Sequence, residues 1–240
     1  MVLMSSLRSV VFVPRNDGAR IIYFLALVCN ECLTWFGDCI ATRGKTDKTP
    51  TFIPMQHPEA NPWKITSEKE IYDNPWINVT EYQVINPSGN PGIYGQVHYK
   101  NIAIGILPLD DDMNTYLVGQ YRFTLNQYSW ELPEGGGIIG VDPLESAKRE
   151  LLEETGLKAS HWTEIQRMHL SNSVSDELCI LYIARGLEQH EAEPEDTEQL
   201  VVKKVPFEDV YRMVCGGEIT DSLAVAAILK ARLMQLEKTL

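Results

Sequence analysis

The spacing of apolar side chains changes character several times along this chain. INVTEYQVI (77–85) alternates apolar and polar positions and ends at NPSGNPG, a cluster of turn formers. Alternation with period two predicts a half-buried strand. YGQVHYKNIAIGILPL (94–109) resumes it, and Asp110, Asp111, Asp112 and Asn114 predict a turn before the next strand, TYLVGQYRF (115–123). YSWELPEG (128–135) reads as a short strand running into a glycine-rich loop, Glu134–Gly140. WTEIQRMHLS (162–171), ELCILYIARGL (177–187) and LVVKKVPF (200–207) are further strands, while PFEDVYRMVCGG (206–217) and SLAVAAILKARLMQLEK (222–238) show helical spacing. The order is strands, one helix, strands, helices. It predicts α+β or an α/β/α sandwich rather than a regular βαβ array. No internal repeat or low-complexity tract interrupts it.

The central helix has signals at both ends. Asp142 suits the N-cap, Pro143 the first helical position, and Glu145 completes a D-x-x-E capping box. Gly156, which accepts a positive φ, ends it. Ala147, Leu151 and Leu144 are expected to face the core. On the other side stand Glu150, Glu153 and Glu154, three and four residues apart and sharing one face. Like charges at that spacing cost roughly 0.2–0.5 kcal/mol per pair. Arg149 is expected to relieve part of this through Glu145 and Glu153. A hard divalent cation relieves more, because clustered carboxylate oxygens are the ligands it prefers; a solvated acidic helix face is the plain alternative.

The segment GGGIIGVDPLESAKRELLEETGL (135–157) resembles the Nudix box, G-x5-E-x7-R-E-U-x-E-E-x-G-U with U a bulky aliphatic. Gly135, Arg149, Glu150, Leu151, Glu153, Glu154, Gly156 and Leu157 fall in register; the first glutamate slot holds Val141, with Asp142 next to it. The resemblance implies a Nudix-type α/β/α sandwich around a mixed sheet, with an N-terminal antiparallel strand extension. It implies Mg²⁺-dependent hydrolysis (Mn²⁺ as a substitute) of a nucleoside diphosphate linked to another group. Carried over by position, Glu150, Glu154 and the Glu134 carbonyl are metal ligands, Glu153 is a further ligand or base, and Arg149 orients the glutamates. QYRF (120–123), WELPEGGG (130–137) and EPEDTEQL (193–200) resemble the ADP-ribose and nucleotide-sugar pyrophosphatases. By that likeness Arg122 holds phosphate or the sugar side, and Asp196 or Glu198, with Glu195 in reserve, supplies the base. Glu131, Gly135, Gly136 and Trp76 join the substrate site, with Trp130 and Tyr94 as other stacking candidates. Two further classes stay open: a ligand sensor on a degraded site, which Val141 would suit, and a prenyl diphosphate isomerase, which needs a reactive cysteine.

Composition alters this picture in a few places. The formal net charge of −12 disfavours nonspecific binding to nucleic acid or anionic lipid, yet suits phosphate contacts bridged by cations. Cys29, Cys32 and Cys39 near the start, and Cys179 and Cys215 in apolar runs expected to be core, form no disulfide framework. That fits a reducing, cytoplasmic compartment. CNEC (29–32) is half a zinc pattern without a second pair. IIYFLALVC (21–29) is too short to span a bilayer and lacks an A-x-A-like cleavage site. The expected organisation is a dispensable extension or mis-called start over 1–54, N-terminal strands for dimerisation and substrate binding over 55–100, and the hydrolase domain over 101–240. A homodimer follows from the resemblance.

Overall fold

The computed structural model describes residues 61–192 and 199–240. The 1–54 extension, its three cysteines, and Glu195, Asp196 and Glu198 lie outside the described residues.

Two apolar runs form the middle of the molecule. β4 (Asn101–Pro108) and β9 (Leu178–Gln189) lie side by side and parallel, with β7 (Glu134–Ile138) antiparallel to β4 and β8 (Leu157–His169) antiparallel to β9. Successive side chains on a strand point to opposite faces, so a strand apolar at nearly every position must be covered on both. On one face Ile104, Ile106, Ile180, Tyr182 and Ala184 meet Ala147 and Leu151 of α1 (Pro143–Thr155). On the other, Leu107, Cys179, Leu181 and Ile183 meet α2 (Phe207–Gly216) and α3 (Ser222–Glu237). The expected α/β/α sandwich around a mixed sheet is therefore present. Each of these aliphatic side chains contributes about 1.5–3 kcal/mol by leaving water.

A second sheet has the order β10 (Val201–Pro206), β5 (Asn114–Arg122), β6 (Gln127–Glu131), and a third joins β1 (Lys64–Asp73), β2 (Ile77–Ile85) and β3 (Pro91–Tyr99). The expected turn before β5 is closed by Asp110, whose Oδ1 accepts from the main-chain N–H of Asp112 and Asn114 at 3.0 and 2.7 Å.

Two expectations need correction, and one strand carries no local signal of its own. The run 94–109 is two strands that separate at Lys100, where the backbone N–H donates to the Trp76 carbonyl and Nζ reaches Asp73; the chain leaves one sheet there for another. The glycine-rich loop is strand β7, paired residue for residue with β4 from Asn101↔Ile138 to Gly105↔Glu134. β1 was not legible as a strand, because all ten of its residues are exposed and no burial imposes alternation.

α1 starts and stops where its signals predict. The Asp142 side chain accepts from Leu144 N–H, Pro143 follows, and Gly156 closes the helix at φ 71°. Glu145 departs from the capping-box reading: its carboxylate pairs with Lys148 at 2.7 Å. Cys179 is buried as expected, but Cys215 is exposed in the last turn of α2. Among the described residues no helix is long and apolar enough to cross a membrane.

Candidate active site

α1 carries its glutamates into a crowded place. Glu150 and Glu154, one turn apart, are only 8% and 3% exposed, whereas Glu153 is more open. This separates the two readings of the acidic helix face, since ionised carboxylates are not buried without compensation. The compensation comes from the main chain and from Arg149. The guanidinium donates to Glu150 Oε1 at 2.5 Å, to Glu153 Oε2 at 2.6 Å and to the Gly136 carbonyl at 3.0 Å. Arg149 thus ties two of the glutamates to β7, and its expected partner Glu145 is replaced by Glu150. Glu154 Oε2 accepts from the Glu134 N–H at 2.9 Å.

Glycine at 135 is a steric requirement. A Cβ there would lie 2.2–2.4 Å from the carboxylate atoms of Glu150. β7 therefore lies directly under both buried carboxylates, and the residue type at 135 decides whether Glu150 fits. Val141, in the slot of the missing carboxylate, is exposed, while Asp142 is engaged as the helix cap.

A second acidic group gathers on the other face of β7. Oxygens of Glu131, Glu134 and Asp221 all lie within 4.8 Å of one another. Arg122 is inserted among them: Nε donates to both Glu131 oxygens at 2.9 and 3.0 Å, and Nη2 donates to Glu131 Oε2 at 2.6 Å and Glu134 Oε1 at 2.5 Å. Glu131 is 2% exposed and also accepts from Gln120. Burial, reinforced by the charges of Asp221 and Glu131, holds Glu134 well above the usual carboxylate range. Beneath them burial and the charges of Glu134 and Asp221 push the Cys179 thiol up to about 12, which keeps it protonated and unreactive.

The structure thus brings Arg149, Glu150, Glu153, Glu154, Gly135 and Gly136 together on one side of β7, and Arg122, Glu131 and the Glu134 side chain on the other. Trp76 sits in the turn between β1 and β2, 65% exposed and outside the strands that carry these ion pairs. Tyr94 is on β3, where its hydroxyl donates to the Ser173 carbonyl at 2.7 Å. Asp221 escaped the sequence reading. Its visible signal is that of an N-cap, which it is, accepting from Ala224 N–H at 2.7 Å; only the packing of α3 shows that it also faces Glu134.

Comparison with known proteins gives concordant matches. The NUDIX domain model matches residues 99–220, and the model of the nucleoside diphosphate sugar hydrolase N-terminal domain matches residues 63–97. The chain is 37% identical over 131 residues to an ADP-ribose pyrophosphatase of Mycobacterium tuberculosis, an alignment spanning 53% of this chain and 63% of that protein. It is 28% identical to an ADP-ribose pyrophosphatase of Bacillus subtilis over 69% of this chain and 90% of that one. The crystal structure of an ADP compounds hydrolase superposes with a TM-score of 0.67 at 19% identity, covering 74% of this chain and 97% of that chain. At that identity the likeness is one of fold.

Proposed function

Because the chain belongs to the NUDIX family, whose model matches residues 99–220, we propose that it is a divalent-metal-dependent hydrolase of nucleoside diphosphate sugars. In this reading it cleaves the pyrophosphate bond of a substrate such as ADP-ribose to a nucleoside monophosphate and a sugar phosphate. The observation that carries it is the burial of Glu150 and Glu154, side by side on one helix turn and seated on the main chain of β7. The names of the relatives, two ADP-ribose pyrophosphatases, support the substrate class.

The donor set fits a hard cation: carboxylate oxygens of Glu150 and Glu154, with the Glu134 carbonyl beside them. Mg²⁺ is the expected metal and Mn²⁺ its substitute. When bound, such a cation neutralises charge on the diphosphate and acidifies a coordinated water. Arg149 keeps Glu150 and Glu153 in place by its hydrogen bonds to both. Arg122 spends Nε and Nη2 on Glu131 and Glu134. A guanidinium has five N–H donors in a fixed fork, so part of it remains to meet the phosphate or sugar. Glu131 then acts through Arg122, since its own carboxylate is buried. Asp196 or Glu198 is the proposed general base, a contribution of typically ~10²–10⁴-fold. The molecule is proposed to act as a homodimer in the cytoplasm.

A panel of nucleoside diphosphate sugars, assayed with Mg²⁺ by phosphate release after phosphatase treatment, tests the reading. Turnover is expected for ADP-ribose or a near relative, and Glu154→Gln should fold normally and lose most of it. Tight binding of every panel member without turnover would make the protein a sensor, and a fully active Glu154→Gln would remove the metal-ligand assignment.

A further inference from the structure

The first two residues of β7 touch both proposed metal carboxylates through their main chain. The Glu134 N–H holds Glu154 Oε2 at 2.9 Å, and the Cα of Gly135 abuts the carboxylate of Glu150. Whatever fixes the start of β7 therefore fixes the geometry of both glutamates. Among the described residues β7 is an edge strand, hydrogen-bonded on one side only, to β4. Pro133, just before it, has no N–H to donate and contributes only its carbonyl, to Ile106.

The side chain of Glu134 supplies a further anchor. It projects to the α3 face of the sheet, opposite to α1: its partner across the ladder, Gly105, faces Leu181 and Leu223 there. On that face Arg122 Nη2 holds Glu134 Oε1 at 2.5 Å, and the same guanidinium is locked by three further hydrogen bonds to the buried Glu131. Glu134 Oε2 is buried without a hydrogen-bond partner among the described residues. Burying a carboxylate in this way is costly, and a residue serving packing alone would not require it.

The geometry points to the Glu134 side chain as a positioning residue of the metal centre, clamped by Arg122 on one face of β7 so that its main chain holds Glu154 and, through Gly135, Glu150 on the other. The inference rests on the proposed metal site. Its role is distinct from that of the Glu134 carbonyl: the carboxylate sits on the wrong face to reach the ion and acts through the backbone.

Direct Mn²⁺ binding to the full-length chain, followed by the electron paramagnetic resonance signal of free Mn²⁺, tests it without relying on turnover. Loss of an outer-shell support typically weakens metal affinity 10–100-fold, so Glu134→Ala should raise the dissociation constant by about 10-fold or more. Glu134→Met, which refills the volume without an acceptor for Arg122, should do the same. Glu134→Gln keeps that acceptor and should stay within about 2-fold of the parent chain, by the same logic. Wild-type affinity in both Ala and Met variants overturns the inference, as does an equal loss in Gln, which would make the charge rather than the clamp decisive. An Ala defect that Met repairs reduces it to packing and overturns it too. A parent chain that binds no Mn²⁺ removes the proposed function itself, and this inference with it.

Discussion

Gly135 shows how much one hydrogen in place of a methyl group can decide. The obstacle to a larger residue is the carboxylate of Glu150, the far end of a flexible side chain rather than backbone. Gly135→Ala should therefore fold, with destabilisation inside the ordinary range of about 0.5–3 kcal/mol. The carboxylate, however, must swing off its seat by an ångström or more. A displacement of that size in a reacting constellation costs on the order of 10²-fold, and that loss in kcat/KM, beside a nearly unchanged melting curve, is the expected result. A variant that melts early yet retains its residual specific activity would show that Gly135 serves the fold and not the site. The same scale explains Arg149: with hydrogen bonds to Glu150, Glu153 and Gly136 it compensates the buried Glu150 carboxylate, while the Glu134 N–H serves Glu154.

Elements place these residues, and two of them do most of the placing. α1 owes its register to its caps, so that Ala147 and Leu151 point to the sheet while Glu150 and Glu154 point to β7. Replacing an Asp cap by Ala costs typically about 1 kcal/mol, which in a domain of this size lowers the melting temperature by roughly 2–4 °C. Asp142→Ala should show that shift in calorimetry and retain catalysis. Should catalysis vanish while the melting temperature holds, Asp142 would be standing in for the carboxylate that Val141 lacks. β7 is the second element. Its glycines contain no side-chain pattern that could announce a strand, and glycine is depleted in strands generally. Gly135 is accommodated there because the Glu150 carboxylate occupies the room that a Cβ would need, while a Cβ at Gly136 or Gly137 would meet Asn101 or Ile104.

At the scale of the whole molecule, the β1–β2–β3 sheet stands out because β1 is exposed along its entire length, with Ile65, Ile71 and Tyr72 open to solvent. An uncovered edge strand with apolar side chains is a template for pairing, and a second copy of the chain is its proposed occupant. Light scattering at micromolar concentration should report twice the chain mass of 27.2 kDa; a monomeric mass would remove the dimer from the proposal. The sequence by itself determined the helix with its caps, the existence of the apolar strands on either side of it, and the acidic side chains that meet on one helical face. All of these are local patterns, set by periodicity within a few turns or by residues with particular backbone preferences. Only the tertiary structure decided that EGGGI is a strand, that Arg149 turns to Glu150 rather than Glu145, and that Asp221 arrives beside Glu134. These outcomes depend on which surfaces come together across the sheet, and side chains distant in sequence leave no local trace of the charge or space they will share.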